Sequence, residues 1–155
     1  MKILFSIFTA VLIIAIAGSS LAYALSNYSS SLDGRQSTQR VEGKVNLTAQ
    51  SSGDLPGTFN VNVNYNSDGS ISGGDWELIV TQNSDGNEVG TLKGTISGGT
   101  ATFDADDWVS SGNFQLNVTR GTGSYSSVTS GTGNIQGTVD REDSTPFSGT
   151  LTISF

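Results

Sequence analysis

Phe59-Asn-Val-Asn-Val-Asn-Tyr65, followed at once by Asn66-Ser-Asp-Gly69, decides the fold. The apolar residues alternate with asparagines, the period-two pattern of a β-strand with one dry face and one wet face. Asp-Gly after such a run is a strong hairpin signal, because both residues tolerate positive φ. The same Asn-Ser-Asp-Gly recurs at Asn83–Gly86.

Outward from this stretch the alternation repeats. Val41-Gly43-Val45-Leu47-Ala49, Trp76-Leu78-Val80, Leu92-Gly94-Ile96, Ala101-Phe103-Ala105, Phe114-Leu116-Val118, Gly133-Ile135-Gly137-Val139 and Phe147-Gly149-Leu151-Ile153-Phe155 each place apolar residues or Gly on one parity. With the opening stretch they make eight candidate strands. These stripes hold 25 of the 36 apolar residues from Leu25 onward, a sorting that a disordered chain would not show. Ser97-Gly-Gly99 reads as the turn between the fourth and fifth candidates. Asp143-Ser-Thr-Pro146 precedes the last, where Pro suits a strand start. No window after residue 25 has a helical period.

A short repeat, apolar-x-Gly-Thr-apolar, occurs at Leu92–Ile96, Ile135–Val139 and Phe147–Leu151, with Val41–Val45 as a near match. Its Gly falls on the apolar parity, which marks tight coiling or a bulky neighbour crossing over the strand. The expected fold is therefore all-β: an antiparallel eight-stranded small barrel over residues 41–155, with a β-sandwich as the alternative. Eight strands enclose just enough space for side chains or one small ligand.

Gly121-Thr-Gly-Ser-Tyr125, Gly131-Thr-Gly133-Asn-Ile-Gln-Gly137 and Phe147-Ser-Gly-Thr-Leu-Thr-Ile153 resemble the Gly-rich latter half of barrels of the allene oxide cyclase and dirigent type. The resemblance implies a secreted or organellar antiparallel eight-stranded barrel. It carries no catalytic residue onto this chain.

The N-terminal residues are different in kind. Met1-Lys2 precedes an apolar run from Ile3 to Ala17, Gly18-Ser-Ser20 breaks it, and Ala22-Tyr-Ala24 has the small-x-small form of a cleavage site. This reads as a signal peptide over residues 1–24, forming a hydrophobic helix; an uncleaved membrane anchor is the alternative. Residues 25–40 are Ser-rich and aperiodic, and are expected to be a flexible spacer.

Composition limits the chemistry. The 155 residues include no Cys and no His and carry a net charge of −7, which becomes −8 if cleavage removes Lys2. Disulfides, thiolate metal sites, Cys nucleophiles and His-dependent triads are excluded. The acidic balance argues against nucleic acid and anionic lipid as partners.

Candidate sites are sparse. Asp104, Asp106 and Asp107 form the densest carboxylate group, able to offer Ca²⁺ hard oxygens or simply to end a strand in water. Asn64, Asn66, Asp68 and Asp75 fall at positions 1, 3, 5 and 12 of a twelve-residue calcium-loop frame with Gly69 at position 6, but Asp and Glu are missing at its two ends. Gly121-Thr-Gly123 lacks the Lys of a phosphate loop and reads as a flexible connection. Asp140-Arg-Glu-Asp143 reads as a polar turn. Trp76 lies on the core parity, Trp108 is the better candidate for an exposed sugar platform, and Tyr65 closes its stripe at the core or the barrel mouth. Asn27, Asn46 and Asn117 begin N-glycosylation sequons.

No catalytic set and no cofactor requirement emerges. The expected role is a secreted or cell-surface non-catalytic domain, structural or adhesive, whose partners are other extracellular proteins, glycans or itself. Membrane contact would run only through an uncleaved N-terminal segment. Two alternatives stand beside it: a barrel holding a small hydrophobic ligand, and a filament subunit that completes a neighbour's sheet with Ser26–Arg40 or the last strand.

Overall fold

The computed structural model describes residues 26–37, 42–82, 87–104, 109–140 and 146–155. Eight strands run as an antiparallel meander: β1 (Asn27–Gln36), β2 (Lys44–Gly53), β3 (Gly57–Tyr65), β4 (Ile71–Gln82), β5 (Asn87–Phe103), β6 (Val109–Gly121), β7 (Gly131–Val139) and β8 (Pro146–Ser154). Each pairs with the next, and β8 returns to pair with β1, so the sheet closes. The closing register sets Asn27 opposite Ser154 and Arg35 opposite Pro146. A sandwich would need two separate sheets, and this closure rules it out.

Alternation becomes inside and outside. Phe59, Val61 and Val63 of β3 are each 1% exposed, and the asparagines between them face outward. Trp76 fills the interior beside Phe59, with ring centroids 6.0 Å apart, and its indole N–H donates to the Asn117 carbonyl at 3.3 Å. Leu55, in the β2–β3 connection, folds into one end of the barrel and is 1% exposed. Its N–H donates to Ser30 Oγ at 3.0 Å and its carbonyl accepts from Ser51 Oγ at 2.6 Å. The two buried serines therefore hold this plug and carry hydrogen bonds of their own. At the other end, half-buried Tyr65 packs on Phe103, centroids 5.0 Å apart.

Two core-facing glycines of β6 and β7 lie under aromatic rings. An ideal Cβ on Gly112 would sit 2.3 Å from Phe114 Cζ, and one on Gly137 would sit 2.4 Å from Phe147 Cε2. The rings occupy the space that side chains at these positions would need. This is the crossing of a bulky neighbour that the Gly-Thr repeat implies.

Three sequence expectations need correction. Residues 27–36 are not part of a flexible spacer; they form β1, which pairs with β2 over seven positions and with β8 over nine. Their inward side is Tyr28, Ser30, Leu32, Gly34 and Gln36, mostly small or polar, and β1 runs close to its neighbour: a Cβ on Gly34 would lie 2.6 Å from the Ala49 Cβ. Second, Ser97-Gly-Gly99 is not a turn. It is a bulge inside one seventeen-residue strand, β5, where the pairing with β6 slips between Ile96 and Gly98. The slip moves the inward set from Leu92, Gly94 and Ile96 to Ala101 and Phe103, which in sequence looks like two strands. Gly99 accommodates it at φ +126°. Third, Gly43 lies in the turn before β2 and is not an inward strand position. The count of eight strands survives because the missed β1 offsets the divided β5. The Met1–Ala24 segment and the Asn83–Gly86 turn lie outside the described residues.

The glycine-under-ring arrangement has a direct test. Gly112→Ala is expected to destabilise the barrel by about 1–3 kcal/mol through overpacking. In a Phe114→Leu background the added methyl has room, so the increment should shrink by roughly 1 kcal/mol in a double-mutant cycle read by urea unfolding. Additive effects would mean that the ring does not set the need for Gly.

Candidate functional site

The outward side of the barrel divides by charge. β1 carries Asp33 and Arg35, β2 carries Lys44, and β4 and β5 carry the Glu77–Lys93 pair at 2.6 Å. Along β6, β7 and β8 the outward residues are Ser111, Asn113, Gln115, Asn117 and Thr119; then Thr132, Asn134, Gln136 and Thr138; then Ser148, Thr150, Thr152 and Ser154. None of these carries a charge; the one charged residue on the three strands is exposed Arg120, near the end of β6. The register aligns them in rows: Asn113 stands opposite Gln136, which stands opposite Thr150. Neighbours in a row are about 4.8 Å apart and successive rows about 6.7 Å apart, a grid of hydroxyls and amides.

An open groove of about 320 Å³ crosses this face over β5, β6 and β7. Thr100, Thr102, Ser111, Asn113, Gln136 and Thr138 supply its polar side chains. Two adjacent rows build it, Thr100–Asn113–Gln136 and Thr102–Ser111–Thr138. Gly112 and Gly137 complete the lining and add no outward bulk. Thr102 Oγ1 shares hydrogen bonds with Ser111 Oγ at 2.5 Å and Ser110 Oγ at 3.2 Å, and Asn134 Nδ2 donates to Asn113 Oδ1. The groove therefore holds neutral donors and acceptors on strands of a closed sheet. Sequence reading missed it because Thr, Asn and Gln on an outward parity look like ordinary solvated surface. The run of neutral polar residues on three consecutive strands, broken only by Arg120, was the available signal.

The candidate residues named from sequence are largely dispersed. Asn64 lies in β3 and Asp75 in β4, so the twelve-residue frame is a hairpin and not a single loop. Asp75 Oδ2 accepts from Asn62 Nδ2 at 3.0 Å. Asp68 closes the turn: its Oδ1 accepts from the Ser70 N–H at 2.9 Å and from Ser70 Oγ at 2.6 Å, and Asn66 Nδ2 donates to Ser70 Oγ at 2.9 Å. Asn66 and Asp68 thus do local turn work. Among the described residues no three acidic side chains gather as a metal site. Asp104 is half-buried just after β5; Asp106, Asp107 and Trp108 lie outside the described residues. Trp76 is core. Asn27, Asn46 and Asn117 are all exposed on the outer side.

Gly121-Thr-Gly123 is a fastened connection. Gly123–Tyr125 forms a 3-10 turn, and Thr122 Oγ1 accepts from the Thr91 N–H at 3.1 Å. Tyr125 packs edge-on against Phe155, and Phe155 stacks on Tyr28 at 4.8 Å. Burial raises the Tyr125 phenol above its ordinary value, and Tyr28 adds to the shift. Asp140 donates its N–H to the Pro146 carbonyl at 3.0 Å, while residues 141–143 lie outside the described residues.

Asp68 gives a pH prediction. Its hydrogen bonds from the Ser70 hydroxyl and N–H hold the carboxyl below its ordinary value of 3.8. A lowered folded-state value means the turn gains stability above the unfolded pKa and loses it as pH falls through the folded one. An NMR titration should place the Asp68 midpoint below 3.8, and Ser70→Ala should move it upward. An unchanged midpoint in Ser70→Ala would contradict this assignment.

The chain matches no family model, no curated protein and no solved structure.

Proposed function

We propose that the chain is an exported, non-catalytic binding domain that holds a neutral, hydroxyl-rich polymer, a glycan, against the outer face of β5–β8. The observation that carries this reading is the uncharged groove of Thr100, Thr102, Ser111, Asn113, Gln136 and Thr138, set within a regular hydroxyl and amide grid. Amides and hydroxyls both donate and accept, as sugar hydroxyls do, and a ligand without charge forfeits nothing in a groove whose lining has no charge. The groove volume lies at the lower end of the ~300–1,000 Å³ range of ligand sites. The Ala22-Tyr-Ala24 pattern supports export. The interior supports an outside site over an apolar ligand within, because Trp76, Phe59, Phe114 and Phe147 already occupy it.

The groove offers hydrogen bonds at an open surface and, among its lining residues, no aromatic platform. Four or five such bonds, each worth about 1 kcal/mol net, give a dissociation constant on the order of 0.1–1 mM for a short oligosaccharide. Long polymers would bind more tightly through repeated contact.

Affinity electrophoresis against neutral and acidic polysaccharides tests the reading. A neutral polymer should retard the protein at low and high salt alike. Asn113→Ala and Gln136→Ala should each weaken retardation by about 3- to 10-fold. Asn60→Ala, on β3, should leave it unchanged. Equal loss in all three variants, or retardation only by charged polymers, would refute the proposal.

A further inference from the structure

The strand that closes the barrel contributes little apolar surface to its core. β1 and β8 stand at the two ends of the meander, so each is joined to the other strands by one connection. β8 buries Phe147, Leu151 and Ile153; β1 buries one large apolar side chain, Leu32. Withdrawing β1 therefore exposes little apolar surface of its own. It leaves a slot edged by Leu47–Gly53 of β2 and Pro146–Ser154 of β8, with their main-chain groups unpaired.

That slot is built for this sequence. A Cβ at the Gly34 position would lie 2.1 Å from the Thr48 carbonyl oxygen, so the register admits Gly there and no larger residue. The Ser30 position supplies the acceptor for the buried Leu55 N–H. The segment Asn27–Gln36 carries one Asp and one Arg and is neutral, whereas the chain as a whole carries −7, so it approaches an acidic copy without added repulsion. Seven residues, 37–43, stand between β1 and β2 in the sequence, a length whose fully extended limit is about 23–25 Å.

We propose that β1 is exchangeable between copies: the slot between β2 and β8 of one copy receives β1 of a second copy. The second copy's own slot is then open to a third. The contact is heterologous, so it propagates as a head-to-tail chain and need not close. Every pairing seen within one chain is kept in the exchanged form, because the donor is identical in sequence. This inference rests on β1 and its slot and is independent of the glycan reading.

The absence of Cys makes the test clean. Ser31 and Ser52 are exposed cross-strand partners of β1 and β2. Chains with Ser31→Cys and chains with Ser52→Cys are unfolded together, refolded at high concentration and oxidised. Exchange predicts covalent dimers joining the two variants, and a ladder of higher species from the variant that carries both substitutions. A synthetic Asn27–Gln36 peptide in excess should lower the dimer yield several-fold, while the same peptide with Gly34→Val should not. The proposal is overturned if the double variant closes its disulfide only within one chain and the mixed variants give no dimer. It is equally overturned if both peptides suppress dimers alike.

Discussion

The pairing of β1 with β8, from Asn27 opposite Ser154 to Arg35 opposite Pro146, turns a meander into a barrel. Without it, β1 and β8 would present open edges, the form of β-structure most prone to unwanted pairing. With it, each strand has two neighbours, and the period-two pattern acquires a strict meaning: one parity is interior and the other is exterior. The packed core and the neutral outer grid both follow from that division.

Closure also limits interior volume. Eight strands enclose a space that a few large side chains fill. Trp76, Phe59, Phe114 and Phe147 are among the large side chains that fill it here, and Gly112 and Gly137 yield room beneath two of those rings. Overpacking and underpacking are both costly in a small barrel, so large residues and glycines are placed together. A filled interior leaves recognition to the outer surface. There the outward stripes of β6, β7 and β8 carry hydroxyls and amides, with Arg120 at the end of β6 the one charge.

Much of this was legible in the sequence, for reasons that also explain the misses. Phe59–Tyr65 alternates cleanly because each inward position holds a large apolar side chain, and Phe147–Phe155 does so at every inward position but Gly149. β1 was not legible because its inward positions are Tyr28, Ser30, Leu32, Gly34 and Gln36, where closeness to β2 and the Leu55 plug call for small or polar groups. β5 was read as two strands because a bulge at residues 96–98 shifts parity without ending the strand. The turn at Asn66–Gly69 was clear, since Asp-Gly chemistry is local; its calcium-loop frame failed because a linear spacing does not show that Asn64 and Asp75 belong to two paired strands. The groove was the least legible element. It depends on register between β5, β6 and β7, and no single strand contains it.

The central claim is that residues 27–36 form a closing strand paired on both sides. Native-state hydrogen exchange measured amide by amide tests it directly. The account predicts that the Ser30–Arg35 amides exchange as slowly as those of Phe59–Val63 in β3, whether β1 sits in its own barrel or in a neighbour's. Exchange of those β1 amides at the rate of an unfolded chain, with β3 still protected, would contradict it.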